Sequence, residues 1–486
     1  MLPTDHPRSG TRKNSVAYEM ASAAISLHRR GTISISLLVF LAIVFVSAPA
    51  HAEDDVSFRE DLAPILIKNC VGCHGDKTAE SGFRLDSFTR AFEKGESGSV
   101  GFTAGMLEKS EVFHRLVSDD ADERMPPESD PLPAEQIAMF KRWIEAGAKF
   151  DGDNPDAPLI SIVPAPTHPP APESYPFTIP VSALVFSHDG KSLIAGGYHE
   201  LTVWNAETGE LLRRISNVGR RTYALAISPD GKTLAAAGGS PGSLGEVRLF
   251  NPETGELLRA FGAESDVVLD AAFNAKGDQL VVAVTDGSLK TFDAATGRGL
   301  LTIAGHADWV TTVAWNSDGT KIASGSRDKT VKIFEATTGE LVATYSGHGQ
   351  PVRGVAFHPA GTEIFSSGDD KRIHRWKIAD AVKTSDIGFG GEVFRLQIVG
   401  EFLFTSSADK TVRQFEVESH KQLHSLTGHK DSPVSVTWHP ATKRLASGGF
   451  DGEVIVWDLN EKKPKLTFIA APGYSAALSY SSRARK

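Results

Sequence analysis

From residue 181 onward, apolar stretches alternate with glycine-containing turns. Segments such as VSALVF and VTTVAW precede turns such as SHDGK and NSDGT, a pattern typical of antiparallel strands joined by tight turns. An aromatic residue closes the third strand of each unit, at intervals of 46, 42, 42, 42, 39 and 42 residues. These aromatic residues are Trp204, Phe250, Phe292, Phe334, Trp376, Phe415 and Trp457. Seven such units predict an all-β propeller of seven four-stranded blades over residues 181–470.

The preceding region has helical periodicity. In FREDLAPILIKNC the apolar residues recur every three or four positions, as on one face of an amphipathic helix. LPAEQIAMFKRWIEAGAKF repeats the pattern, with Pro133 suited to a first helical turn and Gly147 suited to a C-terminal stop. We therefore expect a small all-α domain at 53–150, followed by a stiff, proline-rich linker at 151–180. A C-terminal tail at 471–486 follows the propeller.

The N-terminus has the layout of a secretory signal peptide. Two arginines precede an apolar run at 33–46, which leads into the small-residue sequence APAHA. We expect a signal peptide at 1–52, cleaved after Ala52, with translation beginning at Met1 or at Met20. The apolar run is shorter than the roughly 20 residues of a membrane span, so an uncleaved membrane anchor is the alternative. The expected location is the periplasm or another exported compartment.

Charge is unevenly distributed along the chain. The formal net charge is -9, and residues 53–150 alone hold 20 acidic and 12 basic residues, a net of -8. The sequence contains no basic stripe of the kind that binds nucleic acid, so we expect no nucleic-acid partner. A basic protein partner would be drawn to the acidic segment, and salt would weaken that attraction.

The only two cysteines of the chain are Cys70 and Cys73, and His74 follows them directly. A redox dithiol would be expected after a strand and needs no following histidine, whereas a zinc site needs one or two further ligands. Export would ordinarily favour a disulfide. One covalent haem c accounts for all three residues, since the thiols form thioethers and the histidine becomes an axial iron ligand.

The second axial ligand is expected further along the segment. Candidates are Met106, His114, Met125 and Met139. Met139 falls in an amphipathic helix and is expected to pack in the core. Met125 is presented from the stiff loop ERMPPES before the last helix, because the prolines hold the preceding backbone extended. We therefore favour Met125. Arg84 is a candidate partner for a haem propionate, although a surface ion pair is its default role.

The segment resembles a c-type cytochrome domain of the planctomycete type. The stretches that carry this resemblance are, in chain order, CVGCHG, SGFRLDS, RMPPE and LPAEQIAMFKRWIEAGA. The resemblance implies haem binding and electron transfer, and it implies no substrate.

The seven units are similar to WD40 repeats. Gly-His pairs open three of them, with the histidines at His306, His348 and His429, which we expect to be buried hydrogen-bonding residues. Turn aspartates lie six residues before the aromatic positions: Asp286, Asp328, Asp370, Asp409 and Asp451. Units five and seven have His, Asp and Trp together, so their hydrogen-bonded sets should be complete. Units one and two lack the Gly-His pair.

Three functions are compatible with this sequence. The first is an exported electron carrier whose propeller docks it to a protein partner. The second is an interaction scaffold with a structural or sensory haem. The third is a redox enzyme with a second cofactor on the propeller, although no hydrolase or phosphate-binding motif is present. We favour the first, in which the protein is not itself an enzyme.

Overall fold

The computed structural model describes residues 56–75, 79–127, 130–164, 167–264 and 266–474. The predicted signal peptide and the tail from residue 475 lie outside this part. Within the described residues, no helix is both long enough and apolar enough to cross a membrane.

The N-terminal region is small and helical. A π-helical turn (Phe58–Leu62) leads into α1 (Ala63–Asn69), and α2 (Glu111–Val117), α3 (Ala134–Glu145) and α4 (Leu159–Ile162) follow. Short 3-10 turns lie at Glu80–Gly82, Arg90–Phe92 and Leu107–Lys109. Two sequence signals act as predicted: α3 begins directly after Pro133, and Gly147 adopts a φ of +99° just beyond its end.

One apolar core holds this region together. It is built around aromatic rings, with Trp143 in contact with several phenylalanines at centroid distances of 5.2 to 6.2 Å. Leu159 of α4 is buried in the same core, and Arg59 Nε donates to the Ile162 carbonyl at 2.9 Å. The start of the predicted linker is therefore packed against the helices.

Seven four-stranded antiparallel sheets form the rest of the described chain, which confirms the predicted propeller. Blade 1 contains β1 (Leu184–Phe186), β2 (Ser192–Gly196), β3 (Leu201–Asn205) and β4 (Leu211–Ile215). Blade 2 contains β5 (Arg221–Ile227), β6 (Leu234–Ser240), β7 (Leu244–Phe250) and β8 (Leu257–Glu264). Blade 3 contains β9 (Val268–Phe273), β10 (Gln279–Val284), β11 (Ser288–Asp293) and β12 (Gly299–Ala304).

The last four blades repeat the same order. Blade 4 contains β13 (Val310–Trp315), β14 (Lys321–Ser326), β15 (Val331–Glu335) and β16 (Leu341–Tyr345). Blade 5 contains β17 (Val352–Phe357), β18 (Glu363–Gly368), β19 (Arg372–Lys377) and β20 (Lys383–Gly388). Blade 6 contains β21 (Val393–Val399), β22 (Phe402–Ser407), β23 (Thr411–Glu416) and β24 (Gln422–Thr427). Blade 7 contains β25 (Pro433–His439), β26 (Arg444–Gly449), β27 (Glu453–Asp458) and β28 (Lys463–Ile469).

The periodic aromatic residues all lie near the end of the third strand of their blades, as predicted, and are buried. Each apolar cluster joins two adjacent blades. For example, Phe404 of blade 6 stacks on Trp438 of blade 7 with ring centroids 4.9 Å apart. Each blade therefore buries its faces against its neighbours, which is why the repeat has to continue around a closed ring.

The ring closes between blades 7 and 1. Val181 N donates to the Gly449 carbonyl at 3.0 Å, and Ser435 Oγ donates to the Val181 carbonyl at 2.7 Å. Just before Val181, the Tyr175 hydroxyl donates to a Glu200 carboxylate oxygen at 2.5 Å. Blade 1 therefore joins blade 7 through the chain that leads into it.

The end of the predicted linker is attached to the propeller. His168 Nε2 bonds to Glu246 of blade 2, and the His168 backbone N donates to Asn217 Oδ1 at 2.9 Å. We call residues 168–181 the docked segment, because its side chains and backbone bond to blades 7, 1 and 2. The predicted linker at 151–180 thus contacts the helical region at its start and the propeller at its end.

The histidine of blade 5 belongs to a complete hydrogen-bonded set. His348 Nδ1 lies 2.7 Å from Asp370 Oδ2, and its Nε2 lies 2.8 Å from Ser366 Oγ, which also accepts from Trp376 Nε1 at 3.3 Å. His306 makes the equivalent two bonds in blade 4. These bonds confirm the predicted role of both histidines.

Blade 7 departs from the prediction that its set is complete. His429 Nε2 bonds to Ser447 Oγ at 2.6 Å, and Trp457 Nε1 donates to the same oxygen at 2.8 Å. However, His429 Nδ1 has no hydrogen-bond partner among the described residues, and Asp451 Oδ1 accepts from the Glu453 backbone N instead. The presence of His, Asp and Trp at the right positions was therefore not sufficient for a complete hydrogen-bonded set.

Candidate cofactor site

One cavity of about 210 Å³, partly open to solvent, brings together the candidate residues of two distant chain segments. Cys70, Cys73 and His74 line it from one segment, and Met125 lines it from another. The remaining walls include the apolar side chains of Phe83, Leu85, Val112, Leu116, Pro126 and Pro127.

The C-terminus of α1 positions the cysteines and the histidine. The Cys70 backbone N donates to the Leu66 carbonyl at 2.9 Å, and the His74 backbone N donates to the Cys70 carbonyl at 2.9 Å. A further hydrogen bond comes from a later part of the chain: the Leu85 backbone N donates to the His74 carbonyl at 2.7 Å. The turn of chain between the two cysteines is therefore fixed from both sides.

Neither cysteine is in a disulfide. Burial, with a smaller effect from Cys73, raises the pKa of the Cys70 thiol to about 12. The Cys70 thiol is thus protonated at neutral pH. Among the described residues, no group of three potential metal-ligating side chains includes either cysteine.

His74 has one ring nitrogen engaged and one available. Its Nδ1 lies 3.3 Å from the Phe83 carbonyl oxygen. Because a carbonyl oxygen only accepts, this contact requires the proton on Nδ1 and leaves the lone pair on Nε2. The Phe83 ring also packs edge-on against the imidazole, with centroids 5.5 Å apart. A histidine held in this tautomer presents Nε2 as a ligand atom.

Met125 is the one candidate for the second axial ligand that lines the cavity. Its backbone N donates to the Arg115 carbonyl at 3.0 Å, which ties the loop to α2. Met106 is 41% exposed outside the cavity, and Met139 packs against the helical core. His114 directs Nε2 to the Glu108 carbonyl at 2.9 Å and does not line the cavity.

Sequence reasoning did not find two residues of this site, Phe83 and Arg115. Residues 111, 112, 115 and 116 all line the cavity from α2, because positions three and four apart lie on the same helical face. The signal was present as the EVFHRLV periodicity, but it is only 7 residues long and lies in a stretch that otherwise reads as loop.

The donor set fits a covalent haem. Two thiols three residues apart, one available imidazole nitrogen and one thioether face a largely apolar cavity. This combination matches the attachment and ligation groups that haem c requires.

A second cluster of potential ligands lies inside blade 5. The ligand atoms of His348, Asp370 and His374 are within 4.8 Å of one another. The two imidazole rings are stacked, with centroids 4.1 Å apart and planes at 8°, so their in-plane lone pairs do not converge on one point. His374 Nδ1 is 2.8 Å from the Tyr345 hydroxyl, and His348 is already fully bonded. We assign this cluster to the blade interior.

Comparison with known protein families agrees with both parts of the chain. Residues 70–129 match the model of the family described as planctomycete cytochrome C. Residues 297–335, 339–377 and 420–458 match the WD domain, G-beta repeat. These matches cover blades 4, 5 and 7, which are the three units with a Gly-His pair.

Similar curated proteins share short stretches with this chain. Activating molecule in BECN1-regulated autophagy protein 1B of Danio rerio is 52% identical over 46 residues, which is 9% of this chain and 3% of that protein. Polyadenylation factor subunit 2 of Schizosaccharomyces pombe is 36% identical over 69 residues, 14% of each chain. Probable cytosolic iron-sulfur protein assembly protein 1 of Eremothecium gossypii is 34% identical over 70 residues, 14% of this chain and 21% of that protein.

The chain thus spans between 3% and 21% of the length of these three relatives. Together with the cavity and the seven blades, the family matches give one conclusion. The chain combines a segment of the planctomycete cytochrome C type with a seven-bladed propeller of WD40 repeats.

Proposed function

We propose that this protein is an exported haem c protein that transfers electrons and uses its propeller to dock to a protein partner. The observation that carries the proposal is the convergence of Cys70, Cys73, His74 and Met125 on one cavity. Chance placement would be expected to leave Met125 elsewhere, since more than fifty residues separate it from the cysteines. The N-terminal signal-peptide pattern supports export, and an uncleaved signal would instead anchor the protein at a membrane.

Each residue has a distinct task in this proposal. The Cys70 and Cys73 sulfurs hold one haem covalently, His74 offers Nε2 to the iron, and Met125 offers its thioether sulfur. The haem supplies one-electron oxidation and reduction. The Phe83 carbonyl keeps the imidazole oriented, and apolar side chains form much of the wall. If His74 and Met125 both bound the iron, no coordination position would stay open, which would suit electron transfer better than substrate activation.

The propeller is the proposed docking platform. WD40 blades are rigid, because each packs on both neighbours, and their connecting loops are free to contact other proteins. Two of the relatives are named as a subunit of a factor and as an assembly protein, which fits a role in binding proteins. A redox partner with a basic surface would complement the acidic segment at 53–150.

The relatives' names also favour one alternative, an interaction scaffold in which the haem is structural or sensory. The two functions differ in redox behaviour. In the carrier, mixing the purified protein with a soluble one-electron reductant and then an oxidant gives rapid, reversible changes in haem absorption. A haem that exchanges electrons only over hours would favour the scaffold.

The first experiment replaces both cysteines, as Cys70→Ala/Cys73→Ala, and exports the protein into a host that attaches haem c. Denatured wild-type protein should stain for haem on a gel, and the double variant should lose more than nine-tenths of that staining because no thioether can form. The propeller should stay folded, since the blades bury their own cores. Met106→Ala is the matched control outside the cavity and should stain normally. Persistent staining of the double variant would refute the site.

A further inference from the structure

Helix α2 gives the cavity its only cationic side chain among the described residues. Glu111, Val112, Arg115 and Leu116 all reach the cavity wall from this helix. The other ionisable groups in the described wall are Glu80 and the cysteine and histidine groups of the proposed haem site. Apart from Arg115, the charged side chains of the described cavity wall are therefore the carboxylates of Glu80 and Glu111.

Arg115 is oriented by its neighbours and still has capacity to bind. Its Nε lies 2.8 Å from Glu111 Oε1, one helical turn away, and its Nη1 donates to the Glu123 carbonyl at 3.4 Å. Its Nη2 makes no hydrogen bond to any described residue, and 39% of the side chain is exposed. The guanidinium is thus held at the cavity with one donor group available.

Arg84, the arginine that the sequence offered as a propionate partner, is paired with Asp86. Arg84 donates from Nε and Nη2 to the two carboxylate oxygens of Asp86, at 2.9 and 2.5 Å. Neither residue lines the cavity. The sequence expectation that Arg84 serves a haem propionate is therefore not favoured, and the surface ion pair considered as its default role is what the structure contains.

We propose that Arg115 pairs with a propionate carboxylate of the bound haem. This inference rests on the proposed function. Haem c has two carboxylates, and a carboxylate facing the Glu80 and Glu111 side would be repelled unless a cation compensates it. Arginine is suited to that task because its guanidinium stays charged and the available Nη2 can donate a charge-assisted hydrogen bond to a carboxylate.

The backbone links this pairing to the second axial ligand. The Arg115 carbonyl accepts from the Met125 backbone N at 3.0 Å, so one residue contacts both the loop that presents the thioether and the proposed carboxylate. Arg115 is a positioning and charge-compensating residue here, and it does not touch the iron.

The test compares Arg115→Gln with Arg84→Gln, the matched control at the arginine outside the cavity. The reduction potential of each haem-loaded protein is measured from pH 5 to pH 9. Loss of the Arg115 charge should lower the potential, because the more positively charged oxidised haem is then favoured, and should move the pH-dependent inflection to higher pH. Arg84→Gln should match wild type in both. Arg115→Lys, which keeps the charge, should fall between wild type and Arg115→Gln.

The possible outcomes separate the two proposals. If wild type takes up no covalent haem, the proposed function fails. If Arg115→Gln holds a normal amount of haem and has the wild-type potential and inflection, the Arg115 assignment is wrong while the function stands. A drop in melting temperature with an unchanged inflection would likewise assign Arg115 a purely structural role, and a shift in Arg84→Gln alone would return the assignment to Arg84.

Discussion

At the scale of single residues, the short motif C-x-x-C-H said more about the candidate site than the helical and strand periodicity did. C-x-x-C-H identified Cys70, Cys73 and His74 because the chemistry needs those residue types at that spacing. Met125 could be chosen from the sequence because of its proline neighbours. Phe83 and Arg115 could not, since Phe83 acts through a backbone carbonyl and Arg115 lies in a helix of only 7 residues, too short for its periodicity to stand out.

Replacement of Met125 tests the axial assignment at this scale. In Met125→Ala, we expect loss of the long-wavelength absorption that an iron–thioether bond gives, together with a lower reduction potential. Both are measured on the oxidised, haem-loaded protein, by absorption spectroscopy and by potentiometric titration. Met139→Ala is the control, because Met139 packs against the core and does not line the cavity. An unchanged Met125→Ala spectrum would transfer the role to Met106 or His114.

At the scale of elements, periodicity predicted the strands and α3 well and the short helices poorly. The four-stranded unit repeats seven times, so each strand was supported by its counterparts in the other blades. By contrast, α2 and α4 contain 7 and 4 residues, too few for a helical period to stand out. Local pattern also failed in blade 7, where Asp451 makes no hydrogen bond to His429 Nδ1.

Gly101 tests how the elements around the cavity pack. A Cβ added there would lie 2.3 Å from the Ala91 carbonyl oxygen and 2.4 Å from Phe83 Cζ, so Gly101→Ala must displace the Phe83 ring or the backbone. We expect a loss of about 2 kcal/mol in the stability of the helical region and reduced haem retention. Gly72→Ala is the control, since its Cβ would meet no atom within 4 Å. Equal stability of both variants in denaturant titrations would contradict this packing.

At the scale of the whole molecule, buried histidines should make the propeller sensitive to acid. Burial lowers the pKa of both His374 and His429 to about 4, against an unfolded value of roughly 6.5. The unfolded chain therefore binds more protons between these values, so stability should fall as pH falls from 6.5 towards 4. Each group should contribute about 1–2 kcal/mol of that loss.

The measurement is the free energy of unfolding of the propeller at pH 7.0 and pH 4.5. In His429→Gln, which cannot take up the proton, the difference between the two pH values should shrink by about 1–2 kcal/mol. His188→Gln serves as the control in an exposed turn. An undiminished difference in His429→Gln would mean that other groups cause the acid sensitivity.

The docked segment has a further consequence for the whole protein. Val163 ends the part packed against the helices and His168 begins the part bonded to the propeller, and five peptide units can span at most about 18 Å. A connection this short would hold a partner bound on the blades close to the helical region. In the proposed function, electron exchange within that complex would be unimolecular, so its rate once the partner is bound would not depend on protein concentration.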